Sequence, residues 1–249
     1  MLFKETGGEK SPVVFLLHGG GLSGWAWAGV VELLRMDYRV VTPVIDGHGE
    51  DGAGEFISIE DSADKLIKYI EKQYNGKVFA LAGLSIGAQI VIEALTQREE
   101  IAEFAILESA LILPIPAIRL LTAPVLKFCY GLIKLKWFSR LQAQALFVSK
   151  DMFEQYYSCS LKISKQSLTN IMLSNGSYTL KRNIEKSKAK VLIIAGEREI
   201  KRIKKSAEIL NRRIPDSILY FSRKMRHGEL SMVYPAEYVK IIKSLFNGW

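Results

Sequence analysis

Six short apolar runs, at residues 13–17, 38–42, 77–82, 102–107, 190–195 and 217–221, recur along the chain. Runs such as Val13-Val14-Phe15-Leu16-Leu17 do not alternate with polar residues, so a strand built from them is apolar on both sides and has to be covered on both. Residues 25–34, 59–73, 88–96 and 235–246 read as helices, and a further helix fits between the last two strands. In 59–73, Ile59, Ala63, Leu66, Ile67 and Ile70 share one helical face before Asn75-Gly76 breaks the chain. Pro43 is expected to stop the second strand, and a glycine-rich loop from Gly47 to Gly54 follows it. Strands alternating with helices predict an α/β fold, a mostly parallel sheet with helices on both faces.

Residues 110–189 depart from this rhythm, with no strand signal comparable to the others and a first half rich in Leu, Ile and aromatics. They read as a helical insertion, a cap or lid, into a core made of residues 1–109 and 190–249. A spanning helix needs about 20 predominantly apolar residues. Pro114, Pro116 and Pro124, with Arg119, Lys127, Lys134 and Lys136, argue against one here. A surface of this segment resting on a membrane stays open.

The formal charge is +8, with basic residues crowded between Lys181 and Arg226. Lys201, Arg202, Lys204 and Lys205 fit a solvated helix face, and nearby aromatics do not interleave as a single-strand platform requires, so nucleic acid is not an expected partner. Two cysteines, Cys129 and Cys159, are too few for a disulfide framework and lack zinc-site spacing. The first residues become polar too soon for a signal peptide, which makes the cytoplasm the expected location. The sequence carries no sign of oligomeric state.

The chemistry concentrates at Gly83-Leu84-Ser85-Ile86-Gly87. This Gly-x-Ser-x-Gly sits between an apolar strand and a helix-compatible stretch, the context of a tight strand-to-helix turn that exposes a strained serine. Small residues flank such a turn because larger ones would meet neighbouring backbone. The Ile86 amide would open the helix, where unpaired N–H groups and the dipole favour negative charge. A serine nucleophile needs a base, and the chain has only His18, His48 and His227. The first two precede Ser85 in glycine loops, which leaves His227 as the natural base.

With these motifs the chain resembles the α/β-hydrolase family over nearly its whole length. His18-Gly19-Gly20-Gly21 resembles the family's oxyanion loop, Asp46-Gly47-His48-Gly49 the glycine-rich segment after the next strand, Gly83–Gly87 the nucleophile elbow, and Arg226-His227-Gly228 the histidine loop. Gly196-Glu197-Arg198-Glu199 resembles the tetrapeptide that ends on the family's acid, usually Asp. The resemblance implies Ser85 as nucleophile, His227 as general base and Glu199 as the acid, in the order Ser, acid, His, with His227 following Glu199 by 28 residues. Glu197 and Glu108 stay open as alternative acids. Gly20 and Ile86 would supply the oxyanion amides, His18 would organise their loop, and His48 would pack it.

The resemblance implies a serine hydrolase of esterase or lipase type. It would need no metal or organic cofactor and would work through an acyl-enzyme on a small-molecule ester with a small to medium apolar acyl group. Related enzymes use the same machinery for C–C cleavage, acyl transfer or perhydrolysis, and a non-catalytic ligand-binding protein on this fold is the reading from a different class.

Overall fold

The computed structural model describes residues 1–49 and 54–248. Residues 50–53 of the glycine-rich loop read from the sequence lie outside the described residues. In chain order the elements are β1 (Leu2–Thr6), β2 (Val13–Leu17), α1 (Ala28–Leu34), β3 (Arg39–Val44), α2 (Ile59–Tyr74), β4 (Val78–Leu84), α3 (Ile86–Gln97) and β5 (Ala102–Glu108). Then come α4 (Ile118–Cys129), α5 (Lys136–Ala145), α6 (Phe153–Leu161), α7 (Lys165–Ser177), β6 (Lys190–Gly196), α8 (Lys201–Arg213), β7 (Ser217–Ser222), α9 (Glu229–Val233) and α10 (Pro235–Phe246).

The strands form one sheet in the order β1-β3-β2-β4-β5-β6-β7, parallel except for β1. Its two faces separate residue by residue, as a two-sided core demands. Phe15, Leu17, Leu81, Ala105 and Ile193 point into the layer with α2, α3 and α8. Val14, Leu16, Ala80, Ile106 and Ile194 point into the layer with α1 and α10. Local signals bound the helices. Ser58 Oγ accepts from the Asp61 amide at the start of α2, and Asn75, at φ 53°, closes it in the left-handed conformation.

Two sequence expectations change. Strand β1, not anticipated, lies antiparallel on β3 (Leu2 opposite Val44), where Phe3 stacks on Tyr69 with ring centroids 3.6 Å apart. Mostly exposed and only five residues long, it carries too little apolar pattern to be read alone. Pro43 does not stop β3, which runs on to Val44. Its register with β2 ends at Val41, so the missing Pro43 N–H deprives the β2 side of no partner.

Between β5 and β6 the described residues hold helices and turns and no strand, and α7 and the end of α5 reach the loop after β2. A Cβ on Gly20 would lie 3.8 Å from Ile171 of α7, and one on Gly21 would lie 3.8 Å from Leu146. Among the described residues no helix is long and apolar enough to cross a membrane.

Candidate active site

Ser85 occupies the one-residue turn between β4 and α3 at φ 55°, ψ −113°. A non-glycine residue held there is strained, and the surroundings have to enforce it. Its amide donates to the Glu108 carbonyl at 2.8 Å, tying the turn to the end of β5. The flanking glycines are sterically obligatory: a Cβ on Gly83 would come 2.4 Å from the Gly87 carbonyl, and one on Gly87 would come 2.4 Å from the Leu17 carbonyl oxygen. That second approach draws the start of α3 against the end of β2. Gly20 and Ile86 thereby become neighbours, with a Gly20 Cβ position 3.8 Å from Ile86 Cγ2. The Ile86 N–H is at the first turn of α3, where amides lack intrahelical acceptors.

His18 and His48 brace this loop from beneath. His18 Nε2 accepts from the Ile45 amide at 3.1 Å and its Nδ1–H donates to the Gly19 carbonyl at 2.9 Å, while the His48 ring meets it edge-on at 5.1 Å. Both are fully buried, and burial pushes them down to about 3 and about 4 respectively. Both imidazoles are therefore neutral and structural.

Glu199 is buried, and its carboxylate takes three donors. Oε2 accepts from His227 Nδ1 at 2.8 Å, whereas Oε1 accepts from the Gly196 amide at 3.0 Å and the Ser109 hydroxyl at 2.7 Å. A carboxylate there can only accept, so in the neutral imidazole the proton sits on Nδ1 and Nε2 keeps its lone pair. Ser109 also accepts from the Gly228 amide at 3.2 Å, so one hydroxyl links the acid loop to the histidine loop. Its left-handed φ of 58° directs the chain there. Sequence reasoning missed Ser109, because a serine after a strand carries no signal that it will meet residues about 90 and 119 positions away.

The competing carboxylates are elsewhere engaged. Exposed Glu197 accepts from the Lys224 amide at 2.8 Å. Glu108 is buried beside Ser231, whose amide it receives at 3.4 Å. Burial pushes its carboxyl up to about 7, and the Glu199 charge pushes it the same way.

Ser85 and His227 line a common cavity of about 380 Å³ with Leu111, Asn175, Arg198 and Arg226. Glu199 also lines it, and the two arginines differ in their partners. Arg226 is held by Glu229 at 3.2 Å and lies over the Phe147 ring at 4.6 Å, and Arg198 has no side-chain partner among the described residues. A smaller cavity of about 30 Å³, lined by Gly20, Leu146 and Met232, also touches both Ser85 and His227. The Ser85 hydroxyl and the His227 Nε2 have no hydrogen bond to the described residues.

The buried titratable groups set an acid sensitivity. Below the ordinary histidine value of 6.5 the unfolded chain binds protons that folded His18 and His48 refuse, so the stability they contribute is lost as pH falls from 6.5 toward their folded values. That is about 2 kcal/mol each at pH 5. Glu108 acts oppositely, since the folded state binds its proton between pH 7 and 4.5, and it returns about 2 kcal/mol. Urea midpoints should therefore show a net loss on the order of 2 kcal/mol between pH 7 and 5, roughly doubled in Glu108→Gln. Equal stability at both pH values would refute this assignment of neutral histidines.

A family model described as the alpha/beta hydrolase family matches residues 13–231. Curated relatives include pimeloyl-[acyl-carrier protein] methyl ester esterases. That of Methylococcus capsulatus is 32% identical over 93 residues, covering 37% of this chain and 34% of that protein. That of Aliivibrio fischeri strain MJ11 is 33% identical over 113 residues, covering 44% and 40%. These matches thus span between a third and two fifths of the relatives' own lengths. Among solved structures, a thermophilic esterase from Thermogutta terrifontis superposes with a TM-score of 0.76 at 18% identity, covering 99% of this chain and 93% of that one. An enol-lactonase from Burkholderia xenovorans LB400 superposes at 0.81 with 14% identity, covering 99% and 96%. Likeness at these identities is one of fold.

Proposed function

This chain belongs to the alpha/beta hydrolase family, and from that premise we propose that it is a serine hydrolase cleaving carboxylic esters of small to medium apolar acyl groups. The observation carrying this reading is the strained Ser85 turn opening into the same cavity as an imidazole whose Nδ1 is held by a buried carboxylate. The esterase relatives support ester hydrolysis in general.

In this reading Ser85 Oγ attacks the ester carbonyl as His227 Nε2 takes its proton, which a hydroxyl cannot shed unaided at neutral pH. Glu199 keeps the Nδ1–H tautomer and stabilises the imidazolium, without itself becoming protonated. The amides of Gly20 and Ile86 receive the tetrahedral oxyanion, helped by the positive end of α3. His227 then returns its proton to the departing alcohol, and water, activated by the same imidazole, releases the acid. No step calls on a metal or organic cofactor. Residues 110–189 serve as the cap, because α7 and the end of α5 already touch the oxyanion loop. The free Cys129 and Cys159 suit a reducing cytoplasm.

A fluorophosphonate probe should modify the folded protein once, at Ser85, as peptide mass mapping would read. Folded protein that stays unlabelled would point instead to a binding module on a hydrolase scaffold.

A further inference from the structure

Helix α4 turns Thr122 and Leu126 inward, yet its outward side is also apolar. Leu120 is 79% exposed and Leu121 53%, and on α5 Trp137 and Leu141 are 57% and 55% exposed. A surface helix ordinarily offers charged residues there, and large exposed apolar side chains gathered on a helix mark a side that something else covers. Residues 110–150 also contain six cations and not one Asp or Glu. Lys136 is paired with Glu154 of α6, at 2.8 Å, whereas Arg119 and Lys127 have no side-chain partner among the described residues.

We propose that the outer faces of α4 and α5 dock on an anionic phospholipid surface. Exposed apolar side chains on helices whose only charges are basic are the composition of a segment lying in the lipid interface, with a tryptophan at headgroup level and lysine stems reaching back to the phosphates. A second copy of this chain is a poorer occupant. A two-fold contact would set the patch against itself, cation against cation, with no carboxylate from residues 110–150 to answer them.

The docking face also leads somewhere. Beneath it lies an apolar cavity of about 230 Å³, lined by Val125, Leu126, Ile133 and Phe138, with Gly21 at its wall, one residue from Gly20. An acyl chain leaving the bilayer and entering this cavity would be brought to the wall of the Gly20–Gly21 loop. This route rests on the hydrolase reading, whereas the docking does not.

The test is sedimentation of the full chain with vesicles of 30% phosphatidylglycerol in phosphatidylcholine against phosphatidylcholine alone. We expect partitioning at least tenfold stronger onto the anionic vesicles and weakening with salt. The exposed triple variant Leu120→Ser, Leu121→Ser, Trp137→Ser should lose at least tenfold. Arg119→Gln with Lys127→Gln should lose about fivefold per cation. Lys201→Gln with Lys205→Gln, which makes the same change of charge on α8, should leave partitioning as it was. The proposal is overturned by equal binding to both vesicles, by a triple variant that binds like the parent, or by an α8 pair as damaging as the α4 pair. It is overturned equally if light scattering finds a dimer that the triple variant dissolves. Fluorophosphonate labelling separates the two readings: labelled protein that ignores vesicles sinks only the docking, and unlabelled protein that binds them sinks only the hydrolase.

Discussion

Replacing Ser85 with alanine should lower turnover of short p-nitrophenyl esters by about 10⁴- to 10⁶-fold, with residual activity owed to binding and the oxyanion amides. The same change should barely disturb the fold. The Ser85 hydroxyl makes no hydrogen bond to the described residues, so its loss orphans no partner, and alanine keeps the Cβ that already sits at φ 55°. A thermal midpoint within about 3 °C of the parent is expected, since 1 kcal/mol shifts a domain of this size by roughly 2–4 °C. Steady-state rates with a melting curve on the same sample decide the matter. A folded variant that still turns over would move the nucleophile elsewhere.

Glu199→Gln should lower kcat by about 10³- to 10⁴-fold, whereas Glu197→Gln should change it by less than about threefold. The asymmetry comes from where the donors lie. Oε1 receives the Gly196 amide and the Ser109 hydroxyl, and the backbone donor cannot turn away. The new amide would therefore place its oxygen at Oε1 and its NH₂ toward His227 Nδ1. Facing a donor, the imidazole would have to carry its proton on Nε2 and could not accept one from Ser85. Among the described residues the Glu197 carboxylate accepts only from the Lys224 amide, at the surface, so its amide variant touches nothing in the cavity. A large loss confined to Glu197→Gln would transfer the acid role to that residue.

The core strands, the helices on both faces and the Gly83–Gly87 turn were legible because each rests on short-range physics. Apolar residues repeat within one element, and a glycine's steric need is felt by backbone a few residues off. Strand β1 was not legible, because five mostly exposed residues hold little pattern and acquire their partner only when β3 is already in place. Pro43 misled for a related reason. Its missing N–H matters only where a neighbour needs it, and the register of β2 against β3 had ended two residues earlier.

Three glutamates were open as partners of the histidine, and chain position could not choose among them. By itself the sequence determined the two-sided parallel sheet, the serine turn and the single histidine downstream of it. Only the tertiary structure decided that Glu199 faces His227 while Glu108 turns to Ser231 and Glu197 to solvent, and that α4 and α5 leave apolar sides uncovered. The physical reason is range. Periodicity and turn sterics act along neighbouring residues, whereas a carboxylate's partner is set by contacts such as Ser109 with Glu199 and Gly228, which exist only after distant strands have packed side by side.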